Sequence, residues 1–221
     1  MFVGYFDLAV AAQVPKPGIA PEAPTEVTFH LGPIASNAPV KVTHIILGGK
    51  EVPFDTPVPV SGKWLRTLLI VVQNISSKPI SRGEVTLDYP ETGDGSAERP
   101  IVTSYLTLGR HPSEYFLDKD GTRRDSSREN QIPEINIPPG ESMSLGLLAY
   151  GGVDHAFGDI EQAEFAKKLG HPITQIKVVL GRYYFTSGGG WQLDTFWVPA
   201  PPPELWKKAT PAQFFGTSTA K

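Results

Sequence analysis

The sequence predicts an all-β fold, a mostly antiparallel β-sandwich of about nine strands with one short helix. Three observations carry this. Glycine and proline are abundant, 22 of each in 221 residues, so turns punctuate the chain throughout. Apolar residues recur with period two, or in short continuous runs of strand length. No regular alternation of strands with helices runs along the chain, which argues against a parallel βαβ sheet.

From the start, MFVGYFDLAVAAQ is short and apolar, and Ala9-Val10-Ala11 has the form that signal peptidase cleaves. No Lys or Arg precedes the apolar part, and Asp7 interrupts it. Two readings stand: the remnant of a signal peptide, or a segment that frays or docks on the domain. Pro15, Pro17, Pro21 and Pro24 then make an extended linker. Residues 1–24 are thereby set apart from a sandwich domain over residues 25–200.

TEVTFHL (25–31) is strand-like, and VKVTHIILGGKEV (40–52) is a hairpin with Gly48-Gly49 at its turn. WLRTLLIVVQN (64–74) opens on Trp64 and is continuously apolar in its middle, as in a strand covered on both faces. QNISSKPIS (73–81) is a turn, since Asn, Ser and Pro bend the chain by side-chain bonds and a fixed φ. Asn74-Ile75-Ser76 also matches a glycosylation sequon, a three-residue pattern common by chance. In GEVTLDY, Val85, Leu87 and Tyr89 alternate with polar residues, the pattern of a half-buried strand.

IVTSYLTLG (101–109) is a further strand, and a polar stretch follows over 118–130. EINIPPGESMSLGLLAY (134–150) reads as short strand, turn and strand, with Met143, Leu145, Leu147 and Ala149 buried. Asp159 as N-cap, Gln162 behind it, Gly170 and then Pro172 delimit a helix over 159–169. ITQIKVVLGRYYF (173–185) is the longest strand, with Ile176, Val178 and Leu180 on one face. Gly188-Gly189-Gly190 turns it into WQLDTFWV, read as one strand. The Pro-rich residues 201–221 read as a strap or tail outside the core.

Composition narrows the function classes. A net charge of -3, with both signs dispersed, offers no basic stripe for nucleic acid. The absence of cysteine removes disulfides, thiolate metal sites and a cysteine nucleophile. No apolar run reaches the roughly 20 residues of a transmembrane helix.

Several stretches together resemble a group of uncharacterised exported proteins of soil bacteria such as acidobacteria. They are VVQNISSKPI, VTLDYP, LTLGRHP, IPPGES and IKVVLGRYYFTSGGGWQLDTFW, spanning about residues 40 to 206. Ser187-Gly188 and Leu193-Asp194 depart from that pattern, where an acidic-Gly turn and a glycine are usual. The resemblance implies an immunoglobulin-like sandwich and an extracytoplasmic location, periplasmic or secreted. It carries no activity and no functional residues.

Candidate chemistry is sparse. Asp118, Asp120 and Asp125, around Gly121, offer oxygen ligands for calcium. The spacing misses an EF-hand, and Arg123, Arg124 and Arg128 oppose a cation, so a solvated hairpin tip is the competing reading. The five histidines form no H-x-H or H-x-x-x-H pair. Asp154, His155 and Asp159 are the only local His/carboxylate group, and an enzymatic site there would have to be assembled by tertiary contacts. Neither a G-x-S-x-G elbow nor a phosphate loop is present.

The C-terminal aromatics are denser. Tyr183 and Phe185 should face away from Tyr184, and Phe196 away from Trp197. One set belongs to the core. The other, with Tyr183, Trp191 and Trp197 as candidates, forms a ligand or partner surface unless Trp206 and the tail cover it. The expected function is a non-catalytic exported module, for interaction with protein or carbohydrate of the cell envelope or for envelope structure. A carbohydrate- or calcium-binding module is the alternative, and an enzyme the last.

Overall fold

The structure is a computed structural model that describes residues 25–61, 64–96, 101–110, 132–146, 169–200 and 206–216. Among these, twelve strands form two sheets. The smaller sheet has the order β3–β2–β5–β8, all antiparallel: β3 (Lys50–Val52), β2 (Val40–Leu47), β5 (Leu68–Asn74) and β8 (Ser142–Gly146). The larger is organised around β9 (Gln175–Phe185). On one side β9 pairs with β6 (Ile80–Tyr89), which pairs with β7 (Val102–Leu108).

Two strands share the other side of β9. β1 (Thr25–Leu31) runs parallel to Gln175–Val178, and β10 (Gly190–Gln192) runs antiparallel to Arg182–Tyr184. β1 continues to β4 (Val58–Val60). β10 continues to β11 (Thr195–Pro199) and β12 (Trp206–Ala209). The β1–β9 pairing is the one parallel contact among the described strands. This is an all-β sandwich, as the turn-rich, strand-length pattern predicts.

One buried cluster joins both sheets. Leu68, Ile70 and Val72 of β5 meet Val85, Leu87 and Tyr89 of β6 and Ile176, Val178 and Leu180 of β9 in it. Each set follows the period of two expected of strands with one face inward. Tyr89 is fully buried, and its hydroxyl donates to Ser104 Oγ at 3.1 Å, which removes the cost of an unmet donor.

The turns at Gly48-Gly49 and Gly188-Gly189 occur where expected, with φ of 57°, 79°, 86° and 80°. Asn74 sits in the QNISSKPIS turn at 0% exposure. Its amide donates to Lys78 O and Ile137 O, both at 2.9 Å, and its Oδ1 accepts from Ser76 N and Oγ at 3.0 and 2.7 Å. The side chain is fully used in tying β5 to β6, so the sequon is a turn.

Four expectations change. Trp64 and Leu65 belong to a 3₁₀ turn (Trp64–Thr67) and the strand starts at Leu68. WQLDTFWV is two strands, divided at Leu193-Asp194, both at positive φ (47° and 61°). A bulky Leu disfavours that conformation, which hides the turn from a reading of composition. Third, the tail is not merely a strap. Residues 206–209 add β12 to the sheet, and α1 (Pro211–Phe215) seals the core with Phe214, 4% exposed. A capping box starts α1: Gln213 N donates to Thr210 Oγ1, and Thr210 N donates to Gln213 Oε1. Phe214 lies 4.9 Å from both Phe185 and Phe196, and Lys78 Nζ sits 4.6 Å from its ring centroid. Fourth, β4 is a short extra strand, whereas β3 is the second arm of the expected hairpin over 40–52. The helix expected over 159–169 lies outside the described residues except for Leu169, which is helical, and Gly170 follows at φ 78°.

Candidate ligand-binding cleft

The register of the C-terminal strands fixes which aromatic faces where. Tyr183 pairs with Trp191, and Trp191 with Phe196; these three point into the core. The neighbouring row, Tyr184, Gly190, Trp197 and Lys208, runs across the outer face of β9, β10, β11 and β12. Trp206 pairs with Pro199 and stands on the same outer face, edge-on to Tyr184 with centroids 6.3 Å apart.

Gly190 leaves the middle of this row without a side chain. A Cβ there would meet Tyr184 Cδ1 at 3.0 Å and Tyr183 O at 2.9 Å. The result is an open cleft of about 160 Å³, walled by Tyr184, Trp197 and Trp206, with Arg182 and Gln192 at one end. Trp191 borders it but is only 3% exposed, and its Nε1 donates to Asn37 Oδ1 at 3.3 Å.

Two bulges aim these residues. Between Leu180 and Tyr183, β9 advances three residues while β6 advances two, so Gly181 and Arg182 oppose Glu84. This shifts the inward positions from Leu180 to Tyr183 and turns Arg182 and Tyr184 outward. A complementary bulge near Ser81 restores the register. Gly181 is needed here: a Cβ would lie 2.7 Å from Glu84 Oε1.

Glu84 is a buried carboxylate on β6, beside the cleft, 3.5 Å from Arg182 Nε. Burial pushes its pKa above the ordinary value, against the opposing pull of Arg182 and Arg82. Arg82, also buried, donates from Nη1 to Gly109 O at 2.6 Å. Tyr183 is fully buried, and its hydroxyl has no hydrogen-bond partner among the described residues. Burial, then the charge of Glu84, raises its pKa well above 10.0, so it stays neutral.

A second polar group clips β1 to β9. His30 Nδ1 lies 2.6 Å from Asp55 Oδ1, and Nε2 lies 2.6 Å from Gln175 Oε1. Both contacts raise the His30 pKa, Gln175 more than Asp55, because each oxygen accepts from the protonated ring. Both ring nitrogens are thereby committed, which leaves none to act as a general base.

No family model, curated protein or solved structure matches this chain significantly.

Of the three predicted surface aromatics, only Trp197 is on the outer face. Tyr183 and Trp191 are core residues, because the two-residue turn at Leu193-Asp194 pairs Trp191 with Phe196. The expectation that Trp206 covers the outer face holds in part: it packs against Tyr184 and makes one wall. Tyr184, Arg182 and Trp206 as cleft residues were missed. Recognising that turn would have placed Trp197 opposite Trp191 by strand parity alone. Asp118, Asp120 and Asp125, and likewise Asp154, His155 and Asp159, lie outside the described residues. Among the described residues no three acidic or histidine side chains are placed to hold a metal ion, and no helix is long and apolar enough to cross a membrane.

Proposed function

We propose that this chain is a non-catalytic, exported sandwich module of immunoglobulin-like arrangement that binds a saccharide of the cell envelope on the outer face of its C-terminal strands. The observation that carries the reading is the aromatic cleft: Trp197, Trp206 and Tyr184 around the bare backbone of Gly190. Aromatic rings offer flat apolar faces that stay partly wet, the surface on which a sugar ring stacks. The volume suits one ring, since a cavity of roughly 150 Å³ accepts a six-membered one. The two-sheet core and largely antiparallel pairing support the immunoglobulin-like arrangement, and the resemblance to exported proteins supports export.

The test is titration calorimetry of the full chain against a panel of soluble oligosaccharides, with Trp197→Ala as the control. At least one sugar should bind, and the substitution should weaken it by about 2 kcal/mol, close to thirtyfold in Kd. Its melting temperature should barely change, because Trp197 is not in the core. A panel in which nothing binds, or equal binding by the variant, overturns the reading.

A further inference from the structure

The turn that sets the outer face of the cleft is strained. Leu193 and Asp194 form a two-residue loop between β10 and β11, both at positive φ, and Leu193 is 69% exposed. Asn-Gly is the pair that such a turn favours, because a bulky side chain clashes with the backbone there. A three-residue loop, Leu193 to Thr195, is the ordinary alternative. It would slip β11 by one residue, pair Trp191 with Trp197 in place of Phe196, and exchange the two faces of β11. Trp197 would then turn inward and Phe196 outward. Phe196 resists this at the strand, through its stacking on Phe214.

Asn37 resists it at the turn. It occupies the third position of a tight turn over residues 35–38, closed by Ala38 N donating to Ala35 O at 3.0 Å. Ala35 and Ala38 pack against the core, which anchors that turn. From it, Asn37 Nδ2 donates to Asp194 O at 2.5 Å, and Asn37 Oδ1 accepts from Trp191 Nε1 at 3.3 Å. Neither contact can be reversed, since an indole N–H only donates and a carbonyl only accepts. One amide thus ties the loop to the middle of β10.

We infer that Asn37 is a positioning residue of the cleft: it locks the strained turn, and with it the register that keeps Trp197 as a wall. The inference rests on the reading of the cleft as a saccharide site and adds the device that holds its platform in place. Aspartate at position 37 would keep an acceptor for Trp191 and lose the donor to Asp194 O, which separates the two contacts.

The experiment follows the indole N–H peaks of the four tryptophans in proton–nitrogen correlation spectra of the full chain, each assigned by its own phenylalanine variant. Asn37→Asp should shift or split the Trp197 peak and leave Trp191 in place. Trp64, which packs on Phe29 of β1, is the reference that stays still. Asn37→Ala loses both contacts and should move Trp191 as well. Adding Leu193→Asn and Asp194→Gly to either variant supplies a turn that needs no clamp. The Trp197 peak should then coincide with that of the Leu193→Asn/Asp194→Gly protein, while Trp191 stays displaced in the Asn37→Ala background. Chitotetraose is the binding probe: Asn37→Asp should weaken it about fivefold, the effect of a wall no longer held in advance, and the rescued variant should recover it. If the parent does not bind that sugar, the peaks alone decide. An unmoved Trp197 peak in both Asn37 variants, no return with the Asn-Gly turn, or undiminished binding by Asn37→Asp overturns the inference and leaves the saccharide reading in place. The expected peaks, with no sugar of the wider panel bound, would uphold the inference and overturn the saccharide reading.

Discussion

Along Gln175–Leu180 the inward residues of β9 are even-numbered, Ile176, Val178 and Leu180, whereas from Tyr183 onward they are odd-numbered, Tyr183 and Phe185. The first half runs between β1 and β6, and His30 ties it to Asp55 through Gln175. The second half runs between β10 and β6, and it turns Arg182 and Tyr184 toward a cleft. One strand thus supplies a scaffold and then a site. The difference is a single extra residue opposite Glu84, which also relocates charge: the outer face of the second half holds Arg82, Glu84 and Arg182.

The sharpest way to break this comparison is to truncate neighbours across the bulge. Tyr183→Ala should cost about 3 to 5 kcal/mol, the loss of a fully buried aromatic plus the cavity it leaves. Tyr184→Ala should cost less, about 1 to 2 kcal/mol, for a lost edge-to-face pair and part of its burial. Chemical denaturation measures both. The reverse order would mean that the parity is wrong. Gly181→Ala comes next, at about 1 to 3 kcal/mol, since the new methyl meets Glu84 at 2.7 Å and must displace it. A neutral result would mean that the bulge is not tight. Tyr183→Phe should stabilise by about 1 kcal/mol, because it deletes a buried hydroxyl without a partner among the described residues. Destabilisation would reveal a partner for that hydroxyl.

The smallest effects distinguish the halves by pH. Glu84 has a folded pKa above its ordinary 4.5, so its folded state binds the proton more readily than the unfolded chain. Stability from this group is present at low pH and is lost as pH rises from 4.5 through the folded pKa. The margin of the parent protein over Glu84→Gln should therefore narrow upward from pH 4. His30 also has a raised pKa, from 6.5. Its contribution is full below 6.5 and vanishes as pH rises through the folded value, so the margin over His30→Gln should narrow only at that higher pH. His30 is well exposed, and its effect is the smaller of the two. Melting temperatures across pH 4 to 9 read both windows; a single shared window would contradict the separation.

Much of the fold was legible. The strands 25–31, 68–74, 80–89 and 102–108 follow apolar periodicity, and the turns at Gly48-Gly49, Asn74–Lys78 and Gly188-Gly189 follow residue chemistry. The cleft was only half legible. The aromatic density near the end was plain, yet a two-residue turn at Leu193-Asp194 contradicts the glycine or asparagine expected at positive φ. Without that turn, Trp191 and Trp197 could not be assigned to opposite faces. In the tail, Thr210-Pro211-Ala212-Gln213 is a local helix start, but the burial of Phe214 depends on Phe185 and Phe196 being its neighbours.

By itself, the sequence determined the class of fold, the positions of most strands and the chemistry of most turns. These depend on backbone preference and on patterns within a few residues. Only the tertiary structure decided which aromatics are core and which are cleft, that Arg182 turns outward, and that the tail joins the sheet. Those outcomes depend on register, and register is set by pairing with strands far away in the chain. One extra residue in such a pairing exchanges the two faces of everything that follows it.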